Sequence, residues 1–347
     1  MTRFHALLPF LLISILSACN NNFSEDVRSV PSVNEIRANL AFSCVHEADV
    51  IPPRDPEADQ LYRYARWLYK NNRLKEDPAE YPEMERLLRI ATAWGHDKAN
   101  LELRLMISRG RAESSNPVKE SLDLTEELIR KDIPGGYYDM GRYLERGMGV
   151  EQDSELALKY YRKSADMGSP FGQYLIGKKL SPNDMAPEVS DQMRRCAAEQ
   201  GYGDAGDELG IRLKYLQRYD EALEAYQLGV KAGNSGSALA LEHAFEAPPP
   251  ENKLHYMAQA ADPERVRRYN VIGDFLYRYS YLNPKVPDLD KIVPLPPAEL
   301  PPWDGKLQWL EDHKANVPPP LPSEERIEEM ARAKGLDPKT GRPSKTQ

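Results

Sequence analysis

Gly136-Tyr137-Tyr138-Asp139-Met140-Gly141-Arg142-Tyr143-Leu144, then Gly147-Met148-Gly149-Val150, then Ser154 through Gly168, is the stretch that decides the fold. Tyr137, Met140-Gly141 and Leu144 recur at helical spacing, which predicts an amphipathic helix. Gly147 and Gly149 end it, because glycine reaches positive φ at little cost. Asp153 is placed to cap a second helix through its carboxylate. Leu156-Ala157, Tyr160-Tyr161 and Ser164-Ala165 form the buried stripe of that helix, and Gly168 stops it.

The same ending recurs along the chain as Ala91-Thr92-Ala93-Trp94-Gly95, Ala197-Ala198-Glu199-Gln200-Gly201 and Gly229-Val230-Lys231-Ala232-Gly233. Weaker versions lie near Asp132 and Asp262, and the steps between successive endings are 37, 36, 33, 32 and 29 residues. Small residues let neighbouring helices approach closely, and the closing glycine lets the chain reverse. A helix pair with one apolar face cannot stand alone, so such pairs are expected to stack into a solenoid over residues 58–281.

This pattern resembles the Sel-1-like repeat, a relative of the tetratricopeptide repeat. The match is strongest in 136–168, good in 169–233, and degenerate in 58–132, where the Gly-x-Gly-Val turn is missing, and in 234–280. The resemblance implies an all-α, right-handed helical-hairpin solenoid that binds proteins or peptides on its surface and performs no catalysis. Solenoid geometry makes the concave face of the middle repeats the default docking surface.

Residues 1–18 read as a processing segment. Arg3 opens it, an apolar run follows from Phe4 to Leu16, and Leu16-Ser17-Ala18-Cys19 closes it. The run is shorter than the roughly 20 residues a spanning helix needs. A secretory signal ending on a cysteine resembles the bacterial lipobox. That implies cleavage before Cys19, a diacylglycerol thioether on it, and palmitate-type acylation of the new amino terminus. Each buried CH₂ contributes about 0.8 kcal/mol, so two or three chains anchor stably. Asn20 after the anchor, by resemblance to the lipoprotein sorting rule, favours the inner leaflet of the outer membrane, facing the periplasm.

The flanks are not repeats. Residues 19–57 lack sustained periodicity and carry Pro31, Pro52, Pro53 and Pro56, so a tether and N-terminal cap are expected. Residues 282–322 hold eleven prolines around Trp303-Asp304-Gly305 and Trp309. Proline at that density argues against helix and inner strand and for an extended polyproline-like arm, which the two tryptophans would pin across the last helices. In 323–347, Ser323 is placed to cap a short helix that Gly335 stops, and the tail beyond is expected to be disordered.

Composition narrows the function. Removing residues 1–18 takes Arg3 away and moves the formal charge from −8 to −9. An acidic chain lacks the clustered cations that face phosphates, so no nucleic-acid partner is expected. Cys44 and Cys196 remain beside the lipidated Cys19, in a compartment where disulfides form. Either they pair with each other or Cys196 is a small core residue.

No constellation of catalytic groups stands out. Gly201-Tyr202-Gly203-Asp204-Ala205-Gly206 satisfies G-x-G-x-x-G, but that motif cradles a pyrophosphate only between a strand and a helix; here it follows a helix at a repeat boundary. The six histidines are scattered, without H-E-x-x-H or a Cys/His run at metal-ligand spacing. There is neither G-x-S-x-G nor a Walker loop. Glu126-Glu127 and Glu324-Glu325 read as solvated faces, and Tyr137, Tyr138, Tyr143, Tyr160 and Tyr161 as inter-helix packing. No enzyme, metal or cofactor is expected.

One resemblance goes further. Phe42-Ser43-Cys44-Val45-His46-Glu47, Asp55-Pro56-Glu57-Ala58-Asp59 through Trp67-Leu68, and Leu295-Pro296-Pro297-Ala298-Glu299-Leu300-Pro301-Pro302-Trp303-Asp304-Gly305 resemble a subfamily of proteobacterial Sel-1-like lipoproteins. Some members resemble immunity proteins for type VI secretion lipase effectors of the phospholipase D class. The resemblance implies a toxin or effector partner. The alternative is an envelope adaptor that assembles a cell-wall or secretion complex with other envelope proteins.

Overall fold

The computed structural model describes Asn34, Ile36 and residues 39–180 and 186–344. The signal-peptide and Cys19 readings therefore lie outside the described residues. Among the described residues six helical hairpins follow one another: α1 (Pro56–Asn72) with α2 (Tyr81–Ala93), α3 (Asp97–Ser108) with α4 (Pro117–Arg130), α5 (Pro134–Arg146) with α6 (Ser154–Asp166), α7 (Pro170–Leu180) with α8 (Pro187–Glu199), α9 (Gly203–Tyr215) with α10 (Tyr219–Lys231), and α11 (Ser235–Phe245) with α12 (Pro263–Arg278). These helices touch mainly their chain neighbours, with second-neighbour contacts such as α8 on α10. That nearest-neighbour pattern is the signature of a repeat solenoid. No strand occurs among the described residues; an isolated bridge joins Leu336 and Pro343.

The local signals act as the sequence indicates. The Asp153 carboxylate accepts from the Leu156 amide at 2.8 Å, capping α6. The even-numbered helices end on Gly95, Gly168, Gly201 and Gly233 with φ of +87°, +103°, +86° and +94°. At the weaker ending Asp132 takes that conformation itself, with φ +54°. Asp262 is different: with φ −136° it starts α12 as an N-cap and ends nothing. Gly141 lets α5 lie against α6, since a Cβ there would sit 2.7 Å from the Tyr161 ring.

Two segments outside the hairpins organise the whole. The first is a strap, residues 39–54, which does not cap the N-terminal end of the solenoid. It runs along the turns between one hairpin and the next. Glu47 N donates to Gln200 Oε1 at 2.7 Å, Gln173 Nε2 donates to Val45 O at 2.8 Å, and Arg54 is paired with Asp97 at 2.5 Å. Gly168 admits the strap: a Cβ there would lie 2.9 Å from Glu47 N. Phe42 packs on the middle core of Tyr137, Met140, Tyr161, Ile176 and Met193.

The second segment is the proline-rich arm. Its start lies on the last hairpins, where Val286, Leu289, Ile292 and Leu307 join a core with Leu209, Tyr226, Phe245 and Tyr269. Helix is not excluded from the arm. A single turn forms at Leu289–Ile292 and α13 at Gln308–Ala315, both in windows free of proline. Trp309 meets Phe275 of α12 at 5.6 Å between ring centroids, and Arg267 lies over the Trp303 ring.

The arm then leaves the last hairpin and reaches the first. Trp67 Nε1 donates to Asn316 O at 3.2 Å, and Lys70 Nζ to His313 O at 2.9 Å. Beyond it α14 (Glu324–Ala333) inserts Ile327, Met330 and Ala331 into the core of Leu61, Leu87, Ile90 and Leu103. Ser323 caps α14 and Gly335 follows it with φ +68°, as read from the sequence. The tail over 336–344 is not disordered: Asp337 and Arg342 form a backbone-bonded turn, and the Arg342 guanidinium bonds Glu85. A turn bonded to a buried carboxylate is held by tertiary contacts that composition does not reveal.

Candidate protein-binding surface

The residues that could suggest chemistry are absorbed into the packing. In the stretch 201–206, Gly201 closes α8, Tyr202 precedes α9, and Gly206 lies against the α10 backbone, where a Cβ would be 2.6 Å from Gly229 N. Tyr137, Tyr160 and Tyr161 are buried. The Tyr161 hydroxyl donates to Glu145 at 2.8 Å, and burial, then that bond, push its pKa far up. Tyr202 is likewise raised to about 12, by burial first and then by Asp204. The Tyr161 hydroxyl therefore stays protonated as the donor of that bond. Glu127 pairs with Lys131 and Glu324 with Arg86. His96 is buried as the cap of α3, accepting from Ala99 N at 3.1 Å.

The structure answers the cysteine question. Cys44 on the strap and Cys196 on α8 form a disulfide, with Cα atoms 5.6 Å apart across 152 residues of sequence. The same geometry brings His46 to them, so that Cys44, His46 and Cys196 place one ligand atom each within 4.8 Å of one another. Sequence spacing shows no such cluster, because the strap's path along the hairpin turns is what assembles it.

A row of apolar side chains lies partly in solvent, exposed at its two end leucines and half-buried at its two tyrosines. The fifth residues of α3, α5, α7 and α11 are Leu101, Tyr138, Tyr174 and Leu239. Equivalent positions on stacked hairpins share a face; α9 breaks the row with Asp207, which accepts from Ser237. Around this row Phe171, Ile211 and Tyr215 are exposed. Rings run along it: Tyr138 to Phe171 at 5.6 Å, Phe171 to Tyr202 at 5.3 Å and Tyr202 to Tyr174 at 4.6 Å between centroids.

One end of the row is a cleft of about 290 Å³ between α3, α4 and α5, lined by Leu101, Leu105, Val118, Tyr143 and Met148. Its floor holds a buried ion pair, Arg104 to Asp139 at 2.6 Å. Arg142 and Arg146 also line it, so the cleft is apolar with cationic side chains at hand. Apolar anchors with a polar rim are how protein partners are held. The one sequence signal for it was Met148, an apolar residue in a glycine turn.

Two family models match this chain. The Sel1 repeat matches residues 134–169, and a domain of unknown function (DUF6396) matches residues 237–344, which hold the last hairpin, the arm and α14. Among solved structures, Pseudomonas aeruginosa 5086 (PA5086) is 30% identical, with 74% of this chain and 95% of that chain covered and a TM-score of 0.56. The P. aeruginosa immunity protein Pa5087 is 29% identical with the same coverage and TM-score. The P. aeruginosa immunity protein PA5088 is 28% identical, with 74% and 94% covered and a TM-score of 0.58. Among curated protein sequences nothing matches.

Proposed function

Because this chain belongs to the Sel1-repeat family of Pseudomonas aeruginosa PA5086, a family of non-catalytic partner-binding solenoids, we propose that it is an immunity protein. In this reading it neutralises a phospholipase effector of type VI secretion by direct binding. The observation that carries the reading is its likeness to two immunity proteins over 94% or more of their length. The apolar row on α3, α5, α7 and α11, with the cleft beside Val118 and Met148, supplies the contact surface.

The second part of the proposal is the anchor. Cleaved before Cys19 and acylated there, the chain sits on the periplasmic side of the outer membrane. A phospholipase that attacks envelope lipid must come to that surface, where an anchored inhibitor is at high effective concentration. The net charge of −8, or −9 after cleavage, would steer a basic membrane-active toxin toward it.

The test is direct: the purified mature chain, mixed with the phospholipase encoded beside it, binds that enzyme and abolishes lipid hydrolysis. Absence of a secreted lipase among the neighbouring genes, or hydrolysis unaffected by a molar excess of the chain, would defeat the reading. An envelope pulldown that recovers resident envelope proteins without any toxin present would point instead to an adaptor.

A further inference from the structure

Cys44, His46 and Cys196 offer two sulfurs and an imidazole nitrogen within 4.8 Å of one another. We propose that in its dithiol form the chain binds one zinc ion at these three side chains, so that metal replaces the disulfide as the staple of the strap.

The donor set fits the metal. Zinc takes thiolate sulfur at about 2.3 Å and imidazole nitrogen at about 2.0–2.1 Å in a tetrahedron, which sets neighbouring donors roughly 3.3–3.8 Å apart. Opening the disulfide lets its sulfurs separate toward that spacing, and a donor span of 4.8 Å needs only a modest contraction. Cys44 and His46 stand on non-helical backbone just before the single helical turn Glu47–Val50, where side-chain torsions can adjust. Cys196 is the fixed member, 1% exposed on α8. Cys44 is exposed and His46 half-buried, so ions can enter and solvent can fill the fourth position.

The site also has a supporting shell. His46 Nε2 lies 3.5 Å from Glu199 Oε2. A carboxylate behind a ligating histidine fixes the ring's orientation and raises its basicity, and leaves Nδ1 for the metal. The strap does not depend on the sulfur bond alone. Gln173 and Gln200 hold Val45 and Glu47 through hydrogen bonds of 2.8 and 2.7 Å. The three donors therefore stay together when the disulfide is opened.

The chemistry balances. A small dithiol gives two electrons and two protons to the Cys44–Cys196 bond and leaves as its own disulfide. Zn²⁺ then displaces the two thiol protons to solvent, and the paired charges of two thiolates and one dication cancel. The consequence is a strap seated on the row of turns in either redox state, including before the chain is oxidised.

The experiment uses the full mature chain, reduced with a dithiol and then freed of it, and titrated with Co²⁺ and afterwards Zn²⁺. One equivalent of Co²⁺ should bind with a thiolate-to-cobalt charge-transfer band, and Zn²⁺ should displace it. The oxidised chain should show no such band. Zn²⁺ should raise the melting temperature of the reduced chain. His46→Ala, which leaves the disulfide intact and is checked for folding in the oxidised form, should lower the affinity by tenfold or more, and Glu199→Gln by about tenfold. No charge-transfer band in the reduced chain overturns the proposal. So does His46→Ala binding as tightly as the parent, since the ion would then be an adventitious ligand of two thiols.

Discussion

Arg342 Nε donates to Glu85 Oε1 at 3.1 Å although the two residues are 257 positions apart in sequence. Glu85 also accepts from Arg89 at 2.7 Å and from the Glu113 amide at 3.0 Å. The turn at Asp337–Arg342 is thereby bonded to α2 of the first hairpin. With α14 in the same core and the arm lying on α12, the two ends of the solenoid are tied together. The C-terminal segment is a structural member of the first repeat.

That closure predicts a large cost for a small change far from the repeats. Ile327 on α14 is fully buried among residues of α1, α2 and α3. Ile327→Ala should destabilise the chain by about 2–5 kcal/mol. Denaturant melts would measure it, and hydrogen exchange should rise in α1 and α2. Unchanged exchange there would mean that α14 docks without supporting the first hairpin.

The disulfide closes a loop spanning 152 residues. Removing it with Cys44→Ser should cost about 2–5 kcal/mol, near the upper end if chain entropy dominates. Loss of protection should centre on residues 39–54, seen as faster exchange at Glu47 and Ile51, while α11 and α12 stay protected.

Acid should weaken the first hairpins in two steps of the same sign. Burial holds the His96 imidazole below its ordinary value of 6.5, against the opposing effect of Asp59. A histidine kept neutral in the fold contributes stability in full above 6.5 and loses it as pH falls through its lower folded value. Burial raises Glu85, but bonds from Arg342, Arg89 and the Glu113 amide outweigh it and leave its pKa below 4.5. Its contribution is complete above 4.5 and disappears as pH falls below. Melting temperature against pH should decline in both windows, and Glu85→Gln should flatten the lower one.

Under the immunity reading, the cleft is where a partner is felt. Val118 is 50% and Met148 45% exposed, so Val118→Asp and Met148→Asp should change folding stability by no more than about 0.5 kcal/mol. Each should weaken binding to the effector about tenfold or more if these side chains anchor the contact. Calorimetric titration beside a melting curve separates the two effects. Parental affinity in both variants would move the contact elsewhere on the apolar row.

The anchor is tested by Cys19→Ser. The variant should leave the membrane fraction and protect poorly against the effector in cell competition, while the purified protein binds as tightly as the parent. Full protection by an unlipidated chain would make the anchor an address without a part in inhibition.

The sequence by itself determined the hairpins. Helical periodicity, Asp153 and the closing glycines act within a few residues of themselves, so their physics is local and readable. It also determined the packing of Tyr137, Tyr160 and Tyr161, because a buried stripe has only the neighbouring helix to meet. Where the chain must choose a distant partner, local pattern fell short. Cys44 could pair or lie alone, the strap could cap an end or run along the turns, and the prolines of the arm hid two helical windows. Only the tertiary structure decided that α14 fills the first hairpin's core and that Arg342 reaches Glu85. Such contacts are fixed by which apolar and charged surfaces remain unburied once every hairpin has stacked, and that is a property of the assembled solenoid.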